Sequence, residues 1–213
     1  MHQFQRDFIE FSIATGVLRF GEFTLKSGRI SPYFFNTGLF NSGASLSRLA
    51  DAYSATIEAS GLDLDMLYGP AYKGIPLVAA VAARTFERSG WDLPYCFNRK
   101  ELKDHGEGGQ TVGAPLAGNV LIVDDVISAG TSVRESMTVI RAGGATPSAV
   151  AIALDRQERG TGERSAIAEV REDLGLEVVS IVALDHIVAY LEESGTEAGS
   201  LEAIAAYRER YGA

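Results

Sequence analysis

Cysteine and histidine are both scarce in this chain of 213 residues, which has Cys96 as its one cysteine and histidines only at positions 2, 105 and 186. A single thiol cannot close a disulfide within the chain. This excludes a disulfide-stapled secreted scaffold and favours a reducing compartment, so we expect a cytoplasmic protein. The histidines do not cluster as ligands would, and nothing in the sequence indicates a zinc site.

Long apolar runs are also missing. The longest uncharged apolar-rich stretch, PLVAAVAA at 76–83, is far shorter than the roughly 20 residues that a helix needs to cross a bilayer. The first residues, MHQFQRDFIEFSIATG, carry Arg6, Asp7 and Glu10 among their apolar positions and do not form the uninterrupted segment of a signal peptide. We therefore expect no membrane span and no membrane partner.

Positive charge is in short supply, with 19 Lys and Arg against 28 Asp and Glu, a net charge of −9 and a pI near 4.9. This balance argues against a protein whose main role is to bind nucleic acid or an anionic membrane. Any anionic ligand must be held by local groups. The hydrophobic content of 46% is enough for a full core, and the length predicts one domain over residues 1–213.

Short β-branched segments alternate with helical patterns along most of the chain. Phenylalanines at helical spacing predict a first helix over 3–15, and the turn-rich region 21–43 predicts short strands. Further strands are predicted at 66–69, 94–98, 120–123, 149–154 and 177–182, and helices at 45–60, 74–88, 132–142, 163–174, 185–193 and 200–212. Asp185 and Ser200 are candidate N-caps of the last two helices. The alternation predicts an α/β fold whose mostly parallel sheet binds ligands beyond the carboxyl ends of its strands.

The stretch VLIVDDVISAGTS at 120–132 ends a buried strand in two carboxylates and a turn of small residues. The helix that follows begins near Ser132, and its free amides and positive dipole end favour a phosphate. Gly130 allows close approach of the backbone, and the neighbouring hydroxyls add donors. The segment is therefore suited to a phosphorylated sugar. The alternative is that Asp124 and Asp125 only begin a loop and Ser132 only caps a helix.

Two further segments carry candidate anion-binding groups. GPAYKG at 69–74 is a tight strand-to-helix turn that could present amides to an anion, or could be a plain turn. NRKELKDHGEGG at 98–109 has the composition of a mobile basic loop, although an ordinary solvated surface loop has the same composition. Arg156 directly follows the strand at 149–154, where it could clasp a carboxylate or form a surface salt bridge with Asp155 or Glu158.

VLIVDDVISAGTS resembles the phosphoribosyl pyrophosphate (PRPP) signature of the type I phosphoribosyltransferases. Four further blocks, in chain order, resemble the bacterial orotate phosphoribosyltransferase branch of that family: FGEFTLKSGRISPYFFNTGLFN (20–41), GPAYKGIP (69–76), PYCFNRKELKDHGEGG (94–109) and LDRQERG (154–160). The resemblance implies the type I phosphoribosyltransferase fold, with a central mostly parallel sheet flanked by helices. It also implies a small hood built largely from residues 1–45 and a PRPP-binding core at 66–182.

The resemblance implies a role for each matching residue. The residues implied for PRPP are Lys26, Tyr72, Lys73, Arg99, Lys100, Lys103, His105, Asp124, Asp125, Val126, Ile127, Ser128, Ala129, Gly130, Thr131 and Ser132. Those implied for orotate are Lys26, Phe34, Phe35, Ser128 and Arg156. The residues implied as catalytic are Lys26, Lys73, Arg99, Lys100, Lys103, His105, Asp124 and Asp125. Alone, Lys26 could equally be a solvent lysine and Phe34 and Phe35 core aromatics.

The implied activity is Mg²⁺-dependent transfer of the 5-phosphoribosyl group from PRPP to orotate in UMP biosynthesis. No direct protein ligand to Mg²⁺ is expected, because PRPP would hold the ion with Asp124 and Asp125 nearby. The family's basic loop serves the neighbouring subunit, which implies a homodimer with shared sites. An unusual peptide bond is expected before Tyr72. Two other functions stay open: a non-catalytic PRPP sensor, and an enzyme acting on a purine or uracil.

Overall fold

The computed structural model describes residues 1–25, 27–103, 109–127, 130–160, 162–196 and 198–213. The strands are β1 Leu18–Thr24, β2 Ile30–Phe35, β3 Met66–Gly69, β4 Tyr95–Lys103, β5 Gly109–Gly113, β6 Asn119–Val123, β7 Thr146–Asp155 and β8 Glu177–Ala183. The helices are α1 Gln3–Ala14, α2 Gly43–Ser60, α3 Gly74–Ser89, α4 Thr131–Ala142, α5 Ala166–Leu174, α6 Leu184–Ser194 and α7 Ala198–Tyr211. Across these ranges, none of the helices combines the length and apolar character that a bilayer crossing requires.

Six strands form one sheet in the order β5-β4-β3-β6-β7-β8. All neighbours are parallel except β5, which returns antiparallel to β4. The chain enters the sheet at β3, adds β4 on one side and then crosses to add β6 on the other. The connections that leave β3 and β6 therefore diverge, and the crevice between them is where an open α/β sheet binds its ligand.

Both faces of this sheet are covered, which confirms the predicted α/β architecture. Alternate residues of β6 supply the two cores: Leu121 and Val123 pack with α2 and α3, whereas Val120 and Ile122 pack with α4 and α5. All four are fully buried. Since burying such a side chain stabilises the fold by about 1.5–3 kcal/mol, the uninterrupted apolar run VLIV holds this strand in the centre of the sheet.

A second, two-stranded antiparallel sheet is formed by β1 and β2, within the region where short strands were predicted. Its residue Tyr33 is fully buried, and the ring of Phe35 lies 6.3 Å from that of Phe8 in α1. A single 3-10 turn, Thr37–Leu39, then leads into α2, whose N-cap Ser42 accepts a hydrogen bond from the Ser45 amide. This path carries the end of β2 towards the carboxyl edge of the large sheet.

Three predictions of local structure are wrong. The described part of the stretch 98–109 is not a loop, because β4 continues to Lys103 and pairs with β5, which begins at Gly109. Asp185 is not an N-cap, since β8 runs directly into α6 and Ala183 takes that position, its amide donating to His186 Nδ1 at 2.9 Å. Ser200 lies inside α7, which begins two residues earlier, at Ala198.

Candidate functional site

Asp124 and Asp125 lie at the carboxyl end of β6, as predicted. Asp124 is buried, with 8% of its surface exposed, and its carboxylate accepts hydrogen bonds from Ser132 Oγ at 2.8 Å and from the Asp125 amide at 2.9 Å. Burial raises the pKa of Asp124, and these two hydrogen bonds offset part of the rise. The hydroxyl of Tyr53 in α2 donates to the Asp124 carbonyl at 2.6 Å and so fixes the backbone of Asp124 against α2.

Asp125 joins three parts of the chain. Its Oδ2 accepts from Lys73 Nζ at 2.7 Å and from Thr37 Oγ1 at 2.8 Å. The Lys73 contact spans the crevice between the β3 and β6 connections, whereas Thr37 comes from the turn after β2. The side chain of Lys73 is 65% exposed and that of Asp125 16% exposed. Because the lysine is largely solvated, the pair adds little stability, and Lys73 is able to turn towards a ligand.

The N-terminus of α4 opens onto a cavity of about 240 Å³. Its lining is Asp124, Val126, Ile127, Gly130, Thr131, Ser132 and Val133. Gly130 is the N-cap and has φ +67°, a conformation that a residue with a side chain rarely adopts. The first amides of α4 and the positive end of its dipole therefore face an anion-sized space. The hydroxyl of Ser132 donates its hydrogen bond to Asp124. The predicted residues Ser128 and Ala129 lie outside the described residues.

The connection Pro70–Lys73 between β3 and α3 was expected to bind an anion. It contains a cis peptide bond between Ala71 and Tyr72, as predicted. A Cβ on Gly69 would lie 2.2 Å from the Gly74 carbonyl oxygen, so only glycine permits this tight turn. The Ala71 amide donates to Asn98 Oδ1 at 2.7 Å. Asn98 is therefore a site residue that the sequence did not indicate.

Three predicted basic residues of the 98–109 segment, Arg99, Lys100 and Lys103, lie in β4. Lys100 Nζ is 5.2 Å from the centroid of the exposed Tyr72 ring, which brings this part of β4 over the Pro70–Lys73 connection. Arg99 precedes it in the same strand. Lys103 ends β4, and its side chain, like the whole of His105, lies outside the described part of the chain.

A second cavity, of about 410 Å³, lies between the β1–β2 sheet and the ends of β6 and β7. Phe34 and Phe35 line one side of it, and Arg156, directly after β7, lines the other, so the structure brings these three candidate residues together. Arg156 pairs with Glu158 through Nη2 at 2.6 Å, which is the partner that the alternative interpretation named. The pair is largely buried and not a surface salt bridge, since the exposed fractions are 21% and 12%. Lys26 lies outside the described residues.

The two cavities share a wall. Val126 and Ile127 line both of them, so a ligand in the larger cavity would lie next to one in the α4 cavity. A larger opening of about 600 Å³ among α1, α2 and α3 contains none of the predicted site residues. Within the described ranges there is no cluster of three or more potential metal ligands. The carboxylates of Asp124 and Asp125 are hard oxygen donors of the kind that suits a magnesium ion held mainly by its substrate.

Comparison with known proteins agrees with this arrangement. Residues 38–185 match the family model of the phosphoribosyl transferase domain. The chain is 60% identical over 212 residues to the orotate phosphoribosyltransferases of Thioalkalivibrio sulfidiphilus and Pseudomonas aeruginosa, with 100% of each chain covered. It is also similar to the crystal structure of orotate phosphoribosyltransferase from Francisella tularensis, with 42% identity, a TM-score of 0.89, and coverage of 97% of this chain and 100% of that one.

Proposed function

Because this chain belongs to the phosphoribosyl transferase family, in its bacterial orotate phosphoribosyltransferase branch, we propose that it catalyses Mg²⁺-dependent ribosyl transfer with the residues described above. The chain is a pentosyltransferase of pyrimidine biosynthesis, and its substrates are PRPP and orotate. In the proposed reaction the 5-phosphoribosyl group passes from PRPP to orotate, which yields orotidine 5′-monophosphate and pyrophosphate. A cytoplasmic location stays part of this proposal.

One observation carries the proposal: an anion cavity at a helix N-terminus shares Val126 and Ile127 with an aromatic cavity that contains an arginine. The first suits the 5′-phosphate of PRPP. In the second, Phe34 offers a face to a flat pyrimidine, and the Arg156 guanidinium suits its carboxylate. The ribose would then bridge the shared wall, beside Asp124 and Asp125, and place its anomeric carbon next to the base.

The chemistry is a displacement at the anomeric carbon. The bond from C1′ to the pyrophosphate oxygen breaks with its electron pair leaving on the oxygen, the orotate N1 forms the new bond, and the N1 proton passes to solvent. Positive charge develops on the ribose in between, next to Asp124 and Asp125, which also bind its hydroxyls in this proposal. The carboxylate of orotate is ionised at neutral pH, while N1 keeps its proton until the new bond forms. Positioning and electrostatics are proposed to supply most of the rate.

The leaving pyrophosphate gains negative charge as the bond breaks. Lys73, Arg99, Lys100, Lys103 and His105 are proposed to stabilise it, together with backbone of the Pro70–Lys73 connection. Such contacts strengthen in the transition state, which is what accelerates a reaction. A bound magnesium ion would add charge neutralisation at the pyrophosphate, with Asp124 and Asp125 as the nearest carboxylates. The hood, residues 1–45, would cover the base and exclude water.

A base panel tests the proposed function directly. PRPP and Mg²⁺ are incubated with orotate, uracil, adenine, guanine or hypoxanthine, and nucleotide formation is measured. We expect turnover with orotate to exceed that with any other base, and to disappear when EDTA removes the metal. Turnover of another base above orotate would support the purine or uracil alternative. PRPP binding without turnover of any base would support the sensor.

A mixing experiment tests the shared site of the proposed homodimer. Lys103→Ala and Asp125→Asn chains are purified separately, mixed, denatured and refolded together. A random mixture should regain roughly a quarter of wild-type activity, since half of the dimers are mixed and each of those has one intact site. If the mixture stays inactive while both variants form dimers, sites are not shared across the interface.

A further inference from the structure

Glu158 has no role in the proposed reaction, yet four side chains converge on its carboxylate. Oε1 accepts hydrogen bonds from Arg156 Nε at 2.8 Å and from the Tyr33 hydroxyl at 3.1 Å. Oε2 accepts from the Tyr207 hydroxyl of α7 at 3.1 Å and lies 3.7 Å from Arg29 Nη1. The side chain is only 12% exposed. A buried carboxylate with this many donors is held in one orientation.

The position of Glu158 is unfavourable for a pocket that takes an anion. It lines the 410 Å³ cavity beside Phe34 and Phe35, where the proposed function places orotate. A negative charge in the lining of this cavity repels an anionic substrate, and the low dielectric of a partly closed cavity strengthens the repulsion. Glu158 therefore either lowers the affinity for orotate through this repulsion or offsets the repulsion by another contribution to binding.

The contacts of Arg156 indicate such a contribution, because they hold its guanidinium in place. Its guanidinium lies 4.2 Å from the centroid of the buried Tyr33 ring, and its Nη2 donates to Ser31 Oγ at 3.0 Å. Glu158 takes the Nε donor and lies 2.6 Å from Nη2 on the same edge. An arginine without these contacts has several rotatable bonds and loses their entropy when it binds a ligand. In this protein the Tyr33 ring already holds one face of the guanidinium, and Glu158 already holds its Nε–Nη2 edge.

The other end of Glu158 is anchored by the segment Tyr207–Ala213. Besides the Tyr207 contact, the Arg159 amide donates to the Tyr211 carbonyl at 2.9 Å, and the Ala213 amide donates to the Gln157 carbonyl at 3.1 Å. The turn that carries Arg156 is therefore paired on both sides of Glu158, with the last residue of α7 on one side and with Ala213, beyond the helix, on the other. This pairing helps to position the connection after β7, together with the hydrogen bonds from Arg29 to the Arg159 and Gly160 carbonyls.

We infer that Glu158 is a positioning residue for the base site, which orients Arg156 towards the orotate carboxylate and links it through Tyr207 to α7. The inference rests on the proposed function. It makes base affinity depend on Glu158 and Tyr207, although neither is assigned to contact orotate. PRPP binding, which uses the connections after β3 and β6, should not depend on them.

The direction in which Glu158→Gln changes the KM for orotate distinguishes positioning of Arg156 from simple repulsion of the substrate. If Glu158 positions Arg156, the KM for orotate rises about tenfold, because a charge-assisted contact to the guanidinium is lost. The KM for PRPP stays within about twofold of wild type. If Glu158 is only a nearby negative charge, its removal lets orotate bind more tightly. Glu163→Gln, an exposed carboxylate in the same connection, is the matched control and should leave both constants unchanged.

A double-mutant cycle with Arg156→Ala separates positioning from a general loss of structure. In the Arg156→Ala background, Glu158→Gln should change the KM for orotate by less than twofold, since the group that it positions is gone. The same tenfold loss in both backgrounds, a parallel rise in the KM for PRPP, or tighter orotate binding would each overturn the inference.

Tyr207→Phe provides a second measurement that does not remove a charge. It should raise the KM for orotate about two- to threefold, because one neutral donor to Glu158 is lost. If Glu158→Gln fails to fold, an unchanged orotate KM in Tyr207→Phe rejects the inference on its own. Wild-type enzyme that does not turn over orotate would instead reject the proposed function, so the two failures are distinguishable.

Discussion

The two cavities of the site are assembled from the chain in different ways. The walls of the α4 cavity come from one continuous stretch, 124–133, which runs from the end of β6 into the first turn of the helix. The base cavity brings together the β1–β2 sheet and the turn after β7, and Arg156 and its partner Ser31 are 125 residues apart in sequence. One half depends on local backbone geometry and the other on tertiary packing.

The hydrogen-bond partners of Asp124 in the first half and of Glu158 in the second also differ. Asp124 is buried with a hydroxyl and an amide as its hydrogen-bond donors, whereas Glu158 is paired with arginines. A carboxylate paired with cations gains from its charge, while one that is desolvated with neutral donors bears a cost for it. We expect changes in the first half to affect catalysis and PRPP binding, and changes in the second to affect orotate binding.

The largest expected effect is in the PRPP half. Asp125→Asn removes the negative charge beside the developing cation and the partner of Lys73, so kcat/KM for PRPP should fall about 10²–10³-fold. Steady-state assays with orotate in excess measure it. Asp63→Asn, an exposed carboxylate before β3, is the control and should retain full activity. A loss of less than tenfold would mean that Asp125 does not act on the reacting sugar.

The next effect belongs to the base half. Arg156→Lys keeps the charge and loses the planar fork, so the KM for orotate should rise about 10- to 100-fold, as expected from the loss of about 1.5–3 kcal/mol of charge-assisted hydrogen bonding. The KM for PRPP should stay close to wild type. Arg164→Lys, at an arginine paired with the exposed Glu172 and Asp173, is the control. Equal rises in both constants would contradict the division of the site into two halves.

A substitution of Thr37 tests whether a residue from the base side of the site can affect the PRPP half. It follows β2, on the side of the base cavity, but its hydroxyl donates to Asp125 in the PRPP half. Thr37→Val keeps the shape of the side chain and removes this hydrogen bond, so kcat/KM for PRPP should fall about two- to tenfold, as expected for about 0.5–1.5 kcal/mol. Thr24→Val, at an exposed threonine that ends β1, serves as the control. If orotate binding alone changes, Thr37 belongs to the base half.

The same distinction explains how much of the molecule could be predicted from the sequence. The strands and helices around the sheet were predicted to within a few residues, because their apolar periodicity is local. The continuation of β4 to Lys103 and its pairing with β5 were not, because composition does not indicate that charged residues such as Arg99 and Lys100 extend a strand. Asp185 resembled an N-cap, but the direct passage from β8 into α6 places the N-cap two residues earlier, at Ala183.

The site divides along the same line. Asp124 and Asp125 were predicted because strand, carboxylates and helix start are contiguous. Thr37 and Asn98 were missed because each acts on a residue that is remote in sequence, the first on Asp125 and the second on the Ala71 amide, 27 residues away. Glu158 was identified only as a possible partner of Arg156. Its contact with Tyr207 depends on where α7 packs, which no local pattern contains.

The smallest expected effect concerns stability and pH. Burial raises the pKa of Asp124 above its ordinary value of 3.8, so the folded state binds a proton there more tightly than the unfolded state does. The contribution of Asp124 to stability is therefore fully present below about pH 3.8 and is lost as the pH rises through the folded-state pKa. Asp124→Asn, which resembles the protonated form and keeps an acceptor for Ser132, should lack this dependence.

Urea unfolding of wild type and Asp124→Asn between pH 4 and pH 8 measures the difference. The wild type should lose stability relative to the variant as the pH rises, and the gap should stop changing once Asp124 is fully ionised. Asp63→Asn, at an exposed carboxylate, is measured in parallel as the control. A gap between wild type and Asp124→Asn that is flat across this range, or that changes in the opposite direction, would show that the charge of Asp124 carries no cost in the folded protein. The contrast with the arginine-paired Glu158 would then be wrong.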